Sequence, residues 1–132
     1  MLLGSVALVA GCDDQVWGVA RDVPIAPPSA DGYEGVREIV SEHCLLSCHD
    51  AATQLGGLDL ETDMAVDTVN VRGMFGLLLV SPGAPENSML YLKVTSTNPQ
   101  GTGSDMPPGS GGLPEVLTEV VEDWILDGAP GQ

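Results

Sequence analysis

Basic residues are almost missing from this sequence. Arg21, Arg37, Arg72 and Lys93 stand against 19 acidic residues in a chain of 132, and the formal net charge is −15. A surface of that sign repels phosphate backbones and anionic headgroups, which argues against nucleic acid and makes a charge-steered protein partner a basic one. Aromatic residues are scarce too, at 4% of the chain. So few large side chains leave a core short of bulk, and unfilled cavities cost stability in proportion to their volume. Long apolar runs are missing as well: the opening MLLGSVALVAGC ends at Asp13-Asp14, short of the roughly 20 residues that cross a bilayer. No internal repeat and no βαβ alternation is visible, and the length is that of one domain.

What is present at the start is a short apolar segment ending Val9-Ala10-Gly11-Cys12. Small residues before a cysteine suit a lipoprotein-processing peptidase, which must approach the backbone closely. Residues 1–11 therefore read as a lipoprotein signal peptide and Cys12 as the lipidated N-terminus. Acyl chains would then anchor an exported chain to a bacterial membrane, in the periplasm or at the cell surface. Such a peptide begins with Lys or Arg and none precedes Cys12, as would follow from a start codon assigned too late. The competing reading is a buried N-terminal segment with an incidental cysteine. Residues 12–30, interrupted by Pro24, Pro27 and Pro28, read as an extended tether or as a strap on the domain.

The folded part is expected over residues 31–130. Asp31 is a plausible N-cap for a helix in which Val36, Ile39, Val40, His43 and Cys44 recur at helical spacing, with Glu34, Arg37, Glu38 and Glu42 facing away. Gly56-Gly57 marks a turn, and residues 61–69 suit one or two helical turns. Residues 72–80 are apolar but hold Gly73 and Gly76, so periodicity does not separate helix from strand there. Pro85 suits the first turn of a helix through Met89, Leu90, Leu92 and Val94. Residues 95–112 form a long polar loop, of a length that is usually functional or disordered. The clearest helix covers 114–127, with Leu117, Val120, Val121 and Trp124 on one face and Gly128 as its terminator.

The chemistry concentrates in His43-Cys44-Leu45-Leu46-Ser47-Cys48-His49. Covalent haem needs two thiols for the two vinyl groups of one porphyrin edge and a histidine directly after the second thiol to reach the iron. The usual CxxCH is a strong signal in an exported protein. Here the spacing is CxxxCH, and the extra residue can bulge without moving Cys48 relative to His49. Three other readings compete. A Cys44–Cys48 disulfide explains the cysteines but not the histidine. Zinc would need four nearly consecutive ligands on one tetrahedral ion, with no second ligand pair elsewhere. A thiol redox site would want CxxC in a thioredoxin-like context.

An electron-carrying haem also takes a sixth ligand. His43, next to Cys44, is tied to the proximal side. Met64, Met74 and Met89 lie in apolar or helical segments and are expected in the core. Met106 differs, because it lies in a polar, glycine-rich loop and Pro107-Pro108 restrict the backbone after it. Thioether ligation raises the potential of the iron. A loosely packed, exposed Met106 is the alternative.

The order of CxxxCH, GGLDL, SPGAPENSMLY, MPPG and a final helix ending WILDGAP resembles the small single-haem c-type cytochrome domains of bacterial exported lipoproteins, over roughly residues 31–130. The resemblance implies an all-α, cytochrome c-like fold of a few short helices joined by long loops around one haem, with the N- and C-terminal helices crossing. It implies one covalent haem c on Cys44 and Cys48, with His49 and Met106 as axial ligands. Gly57, Leu58 and Tyr91 would be packing positions around it, with Tyr33, Phe75, Tyr91 and Trp124 as the aromatic filling. The expected role is outer-sphere electron transfer with a basic redox partner, not enzymatic turnover. An iron position left open by Met106 would instead bind small ligands or reduce peroxide. The alternative to all of these is a haem-free structural or binding module closed by a Cys44–Cys48 disulfide.

Overall fold

A computed structural model of the chain describes residues 25–132. The expected signal peptide, Cys12 and the first part of the tether lie outside the described residues. Among the described residues the helices are α1 (Gly32–His43), α2 (Met64–Thr68), α3 (Met89–Val94) and α4 (Glu115–Leu126). Tight turns at Leu55–Gly57 and Pro85–Asn87 and a wide one at Leu45–His49 complete the order. Strand-like pairing among the described residues is limited to the isolated bridges Val69–Val80, Arg72–Leu78 and Leu78–Ser88. The architecture is the all-α one expected. No helix among the described residues is long and apolar enough to cross a membrane.

Helix α1 buries Val36, Ile39 and Val40 as its spacing requires, while His43 and Cys44, at its end, stay half-buried. Asp31 takes the N-cap position with extended backbone, but its side chain makes no capping bond. Its neighbourhood is fixed differently: the Ser29 amide and hydroxyl both donate to the Glu38 carboxylate, at 3.0 and 2.7 Å. Those bonds, the hydroxyl's foremost, hold the Glu38 carboxyl below its ordinary pKa.

Helix α4 buries Leu117, Val121, Trp124 and Ile125 against α1, and the Tyr33 and Trp124 rings meet at 6.2 Å. The crossing of the two helices is close at Gly35. A Cβ there would fall 3.1 Å from Val120 Cγ1 and 2.2 Å from the Ala30 carbonyl oxygen. Beyond α4 the chain turns back over Trp124, whose indole N–H donates to the Pro130 carbonyl at 2.9 Å. This return explains the WILDGAP ending: Gly128 has φ +96°, a conformation open to glycine, and Ala129 is buried.

Three expectations need correction. The helix expected to run on from Pro85 is broken at Ser88, whose buried hydroxyl accepts from the Ser81 amide at 2.8 Å and donates to the Ala84 carbonyl at 2.9 Å. Those local bonds outcompete helical continuation. Residues 72–80 form neither helix nor regular strand, since a turn tied by the Gly73 amide to the Leu77 carbonyl at 2.8 Å interrupts them. Within that turn Met74 and Phe75 are 80% and 48% exposed, so neither fills the core. Met64 and Met89 are buried as expected.

Because the crossing has no room for a methyl group, Gly35→Ala is expected to destabilise the fold by about 1–3 kcal/mol, read as a lowered midpoint in urea unfolding.

Candidate functional site

The turn that follows α1 shows how a CxxxCH spacing is accommodated. The His49 amide donates to the Cys44 carbonyl at 3.2 Å, an i to i−5 bond one residue wider than an α-helical one. The surplus is absorbed at Leu46 and Ser47, whose backbone leaves helical geometry; Ser47 lies at φ +64°, a region few non-glycine residues enter. Beyond the turn the Leu60 amide donates to the His49 carbonyl at 2.9 Å, pinning the histidine backbone to the GGLDL segment. Asp50 closes the next turn by accepting from the Ala52 and Thr53 amides at 3.0 and 2.7 Å.

The His49 ring has one buried nitrogen, Nδ1, without a hydrogen-bond partner. Burial pulls its pKa below the ordinary histidine value, with the Leu58 and Leu55 backbone opposing. Cys44 is a free thiol that burial pushes up to about 12, although the residue as a whole keeps some exposed surface. It is therefore not joined to Cys48, and the Cys44–Cys48 disulfide of the haem-free alternative is not formed. Cys48 is buried and is itself disulfide-bonded. Among the described residues no group of three or more His, Cys, Asp and Glu side chains could hold a metal ion, so the HCLLSCH run does not gather into a zinc site.

Cys44 and His49 open into a cavity of about 810 Å3, at the upper end of the range that holds a whole small-molecule ligand (~300–1,000 Å3). Val36, Ile39 and Val40 of α1 contribute to its lining, as do Leu113, Val121 and the Gly57-Leu58 backbone turn. Gly57 sits at φ +78°, which lets the backbone itself form part of the lining. Tyr91 packs against the core rather than lining the cavity. Met106 also lines it, from the loop after α3, as do Met74 and Met89. The expected site residues Cys44, His49 and Met106 thus share one cavity, and Cys48 does not line it.

The rim explains the exposed apolar side chains. Leu55, Met74 and Phe75, between 48% and 80% exposed, all belong to this cavity. Soluble proteins keep contiguous apolar patches small unless a ligand or partner covers them. An apolar lining, an apolar rim, a thiol, an imidazole nitrogen without a partner and a thioether together suit a large flat apolar group bound through sulfur and nitrogen, which is what haem is.

One cavity residue escaped notice in the sequence. Lys93 lies on α3, only 8% exposed, with its Nζ donating to the Thr102 and Ser104 carbonyls. The signal was there: the chain's one lysine, set inside the apolar run MLYLKV.

Compared with known families, residues 44–110 match the family described as Planctomycete cytochrome C, just over half of the chain. No curated protein and no solved structure matches.

A thiol held near 12 is almost entirely protonated at pH 8, with a thiolate fraction of about 10⁻⁴. In the haem-free chain without reductant, iodoacetamide at that pH is expected to alkylate Cys44 on the order of a thousandfold more slowly than in denaturant, as followed by mass spectrometry.

Proposed function

Taking as premise that the chain belongs to the Planctomycete cytochrome C family, whose domains carry covalently bound haem c and move electrons, we propose that it is an exported, membrane-anchored carrier of single electrons. It would hold one haem, with Cys44 and Cys48 as the thioether cysteines and His49 and Met106 as the axial ligands. The observation that carries this reading is that Cys44, His49 and Met106 line one apolar cavity.

Bound there, haem supplies one-electron chemistry through its iron, and a thioether ligand favours the reduced state. The protein's own part follows from its residues. Burial favours the neutral form of the His49 imidazole, the form that offers a ring nitrogen as a ligand. The bond between the Leu60 amide and the His49 carbonyl fixes the backbone from which that ring projects. Cys44 and Cys48 would hold the group, each through an S–H added across a vinyl group, an addition that needs no oxidant. Since Cys48 is disulfide-bonded, a thiol reductant must first return its sulfur to the thiol. The apolar lining excludes water, and the acidic surface draws a redox partner with a basic docking face. Cys12, lipidated, would be the anchor, with residues 1–11 as its signal peptide, residues 12–30 as the tether and residues 31–130 as the cytochrome domain.

Two experiments test this reading. Matured in cells with the haem-attachment machinery, the wild-type chain is expected to keep haem colour on a reducing, denaturing gel. The Cys44→Ser/Cys48→Ser double variant should lose it, and a colourless wild-type band would overturn covalent attachment. In the oxidised, haem-loaded protein a weak far-red absorption band reports sulfur on iron. Met106→Ala should abolish that band and lower the midpoint potential, whereas Met74→Ala should leave both as they are; a band that survives Met106→Ala removes Met106 from the iron.

A further inference from the structure

Lys93 occupies a place where lysine is costly. Lysine stems normally carry the ammonium out to water, but here the residue is 8% exposed on the apolar helix α3 and lines the cavity. Its Nζ donates to two backbone carbonyls of one loop, that of Thr102 and that of Ser104, the latter at 2.6 Å. A third tie runs the other way: the Met106 amide donates to the Lys93 carbonyl at 3.0 Å. One residue therefore grips the loop at positions 102, 104 and 106.

The loop needs such a grip. Gly101, Gly103, Gly109, Gly111 and Gly112 all have positive φ, and a segment so rich in glycine loses much conformational freedom when it is held in one shape. Other contacts back the same hold. The Asn98 side-chain amide donates to Thr102 Oγ1 at 2.9 Å and to the Gly103 carbonyl at 3.0 Å. The Lys93 ammonium lies 5.7 Å from the centre of the Phe75 ring at the cavity rim, within the range of a cation–π contact. Burial lowers the Lys93 pKa, and the Asp105 carboxylate opposes that shift.

We propose that Lys93 is the positioning residue for Met106, its ammonium clamping the Thr102 and Ser104 carbonyls so that the glycine-rich loop presents the thioether to the cavity. This rests on the reading of Met106 as an iron ligand. It adds to that reading by making a cation on α3, rather than the flanking prolines alone, responsible for where the sulfur lies.

Lys93→Leu removes the donors and keeps an apolar stem; methionine is avoided because a new thioether in the cavity could itself ligate. In the haem-free chain, amide hydrogen exchange at Met106 should rise at least tenfold in Lys93→Leu while the amides of α1 and α4 keep their protection. In the oxidised, haem-loaded protein the far-red band should lose at least half its intensity in Lys93→Leu and be retained in Lys93→Arg, which keeps the cation and its donors. Unchanged exchange at Met106, or a band as strong in Lys93→Leu as in wild type, overturns the proposal, and so does a Lys93→Arg variant that loses the band as fully as Lys93→Leu. If the wild type itself shows no band, Met106 ligation has failed, and the exchange measurement alone decides whether Lys93 holds the loop. Should Lys93→Leu not fold, Lys93→Ala carries the same comparison, again without a donor and with the same outcomes deciding it.

Discussion

Five aromatic side chains among 132 residues do not suffice to fill an interior of this size, and the arrangement of everything else follows from that shortage. Half of the molecule is solid: α1 and α4 cross at Gly35, and Trp124 and Ile125 are fully buried at their contact. The other half is loop wrapped about an apolar space of about 810 Å3. A space of that size, if left unfilled, would cost its lining dispersion contacts. Covalent attachment at the end of α1 would join the filling directly to the solid half, making the group part of the core rather than a guest in it.

The turn at Leu45–His49 shows how the CxxxCH spacing is absorbed by the backbone. An extra residue between the cysteines is taken up by one wide turn and by Ser47 in left-handed backbone. The Cys48-His49 pair stays consecutive, and His49 is then tied to Leu60. Length before the pair is negotiable because a turn can widen by one bond register.

What the sequence made legible was whatever depends on periodicity and on local chemistry. Helices α1 and α4 follow from the spacing of Val36, Ile39 and Val40 and of Leu117, Val121 and Trp124. Cys44, His49 and Met106, singled out in the sequence by the Cys-His adjacency and by a methionine among prolines and glycines, line one cavity. The break at Ser88 was not legible, because it depends on a hydroxyl meeting the Ser81 amide seven residues away. Nor was the exposure of Met74 and Phe75, which looks wrong for apolar residues until the cavity they border is known. Lys93 was hidden for the same reason: its two acceptors lie 9 and 11 residues along the chain, and only the folded loop brings them to it.

Burial of the chain's one lysine also governs which cross-linking chemistry could report a partner on the surface. Amine-directed reagents find no exposed side-chain amine on the domain, so a cross-linker that joins lysine to lysine is blind to any complex formed through its surface. Carboxylate activation is the matching chemistry, since an acidic face joined to lysines supplied by the other protein yields an amide bond across the contact. Spontaneous surface attachment through amines would likewise leave the cavity rim untouched.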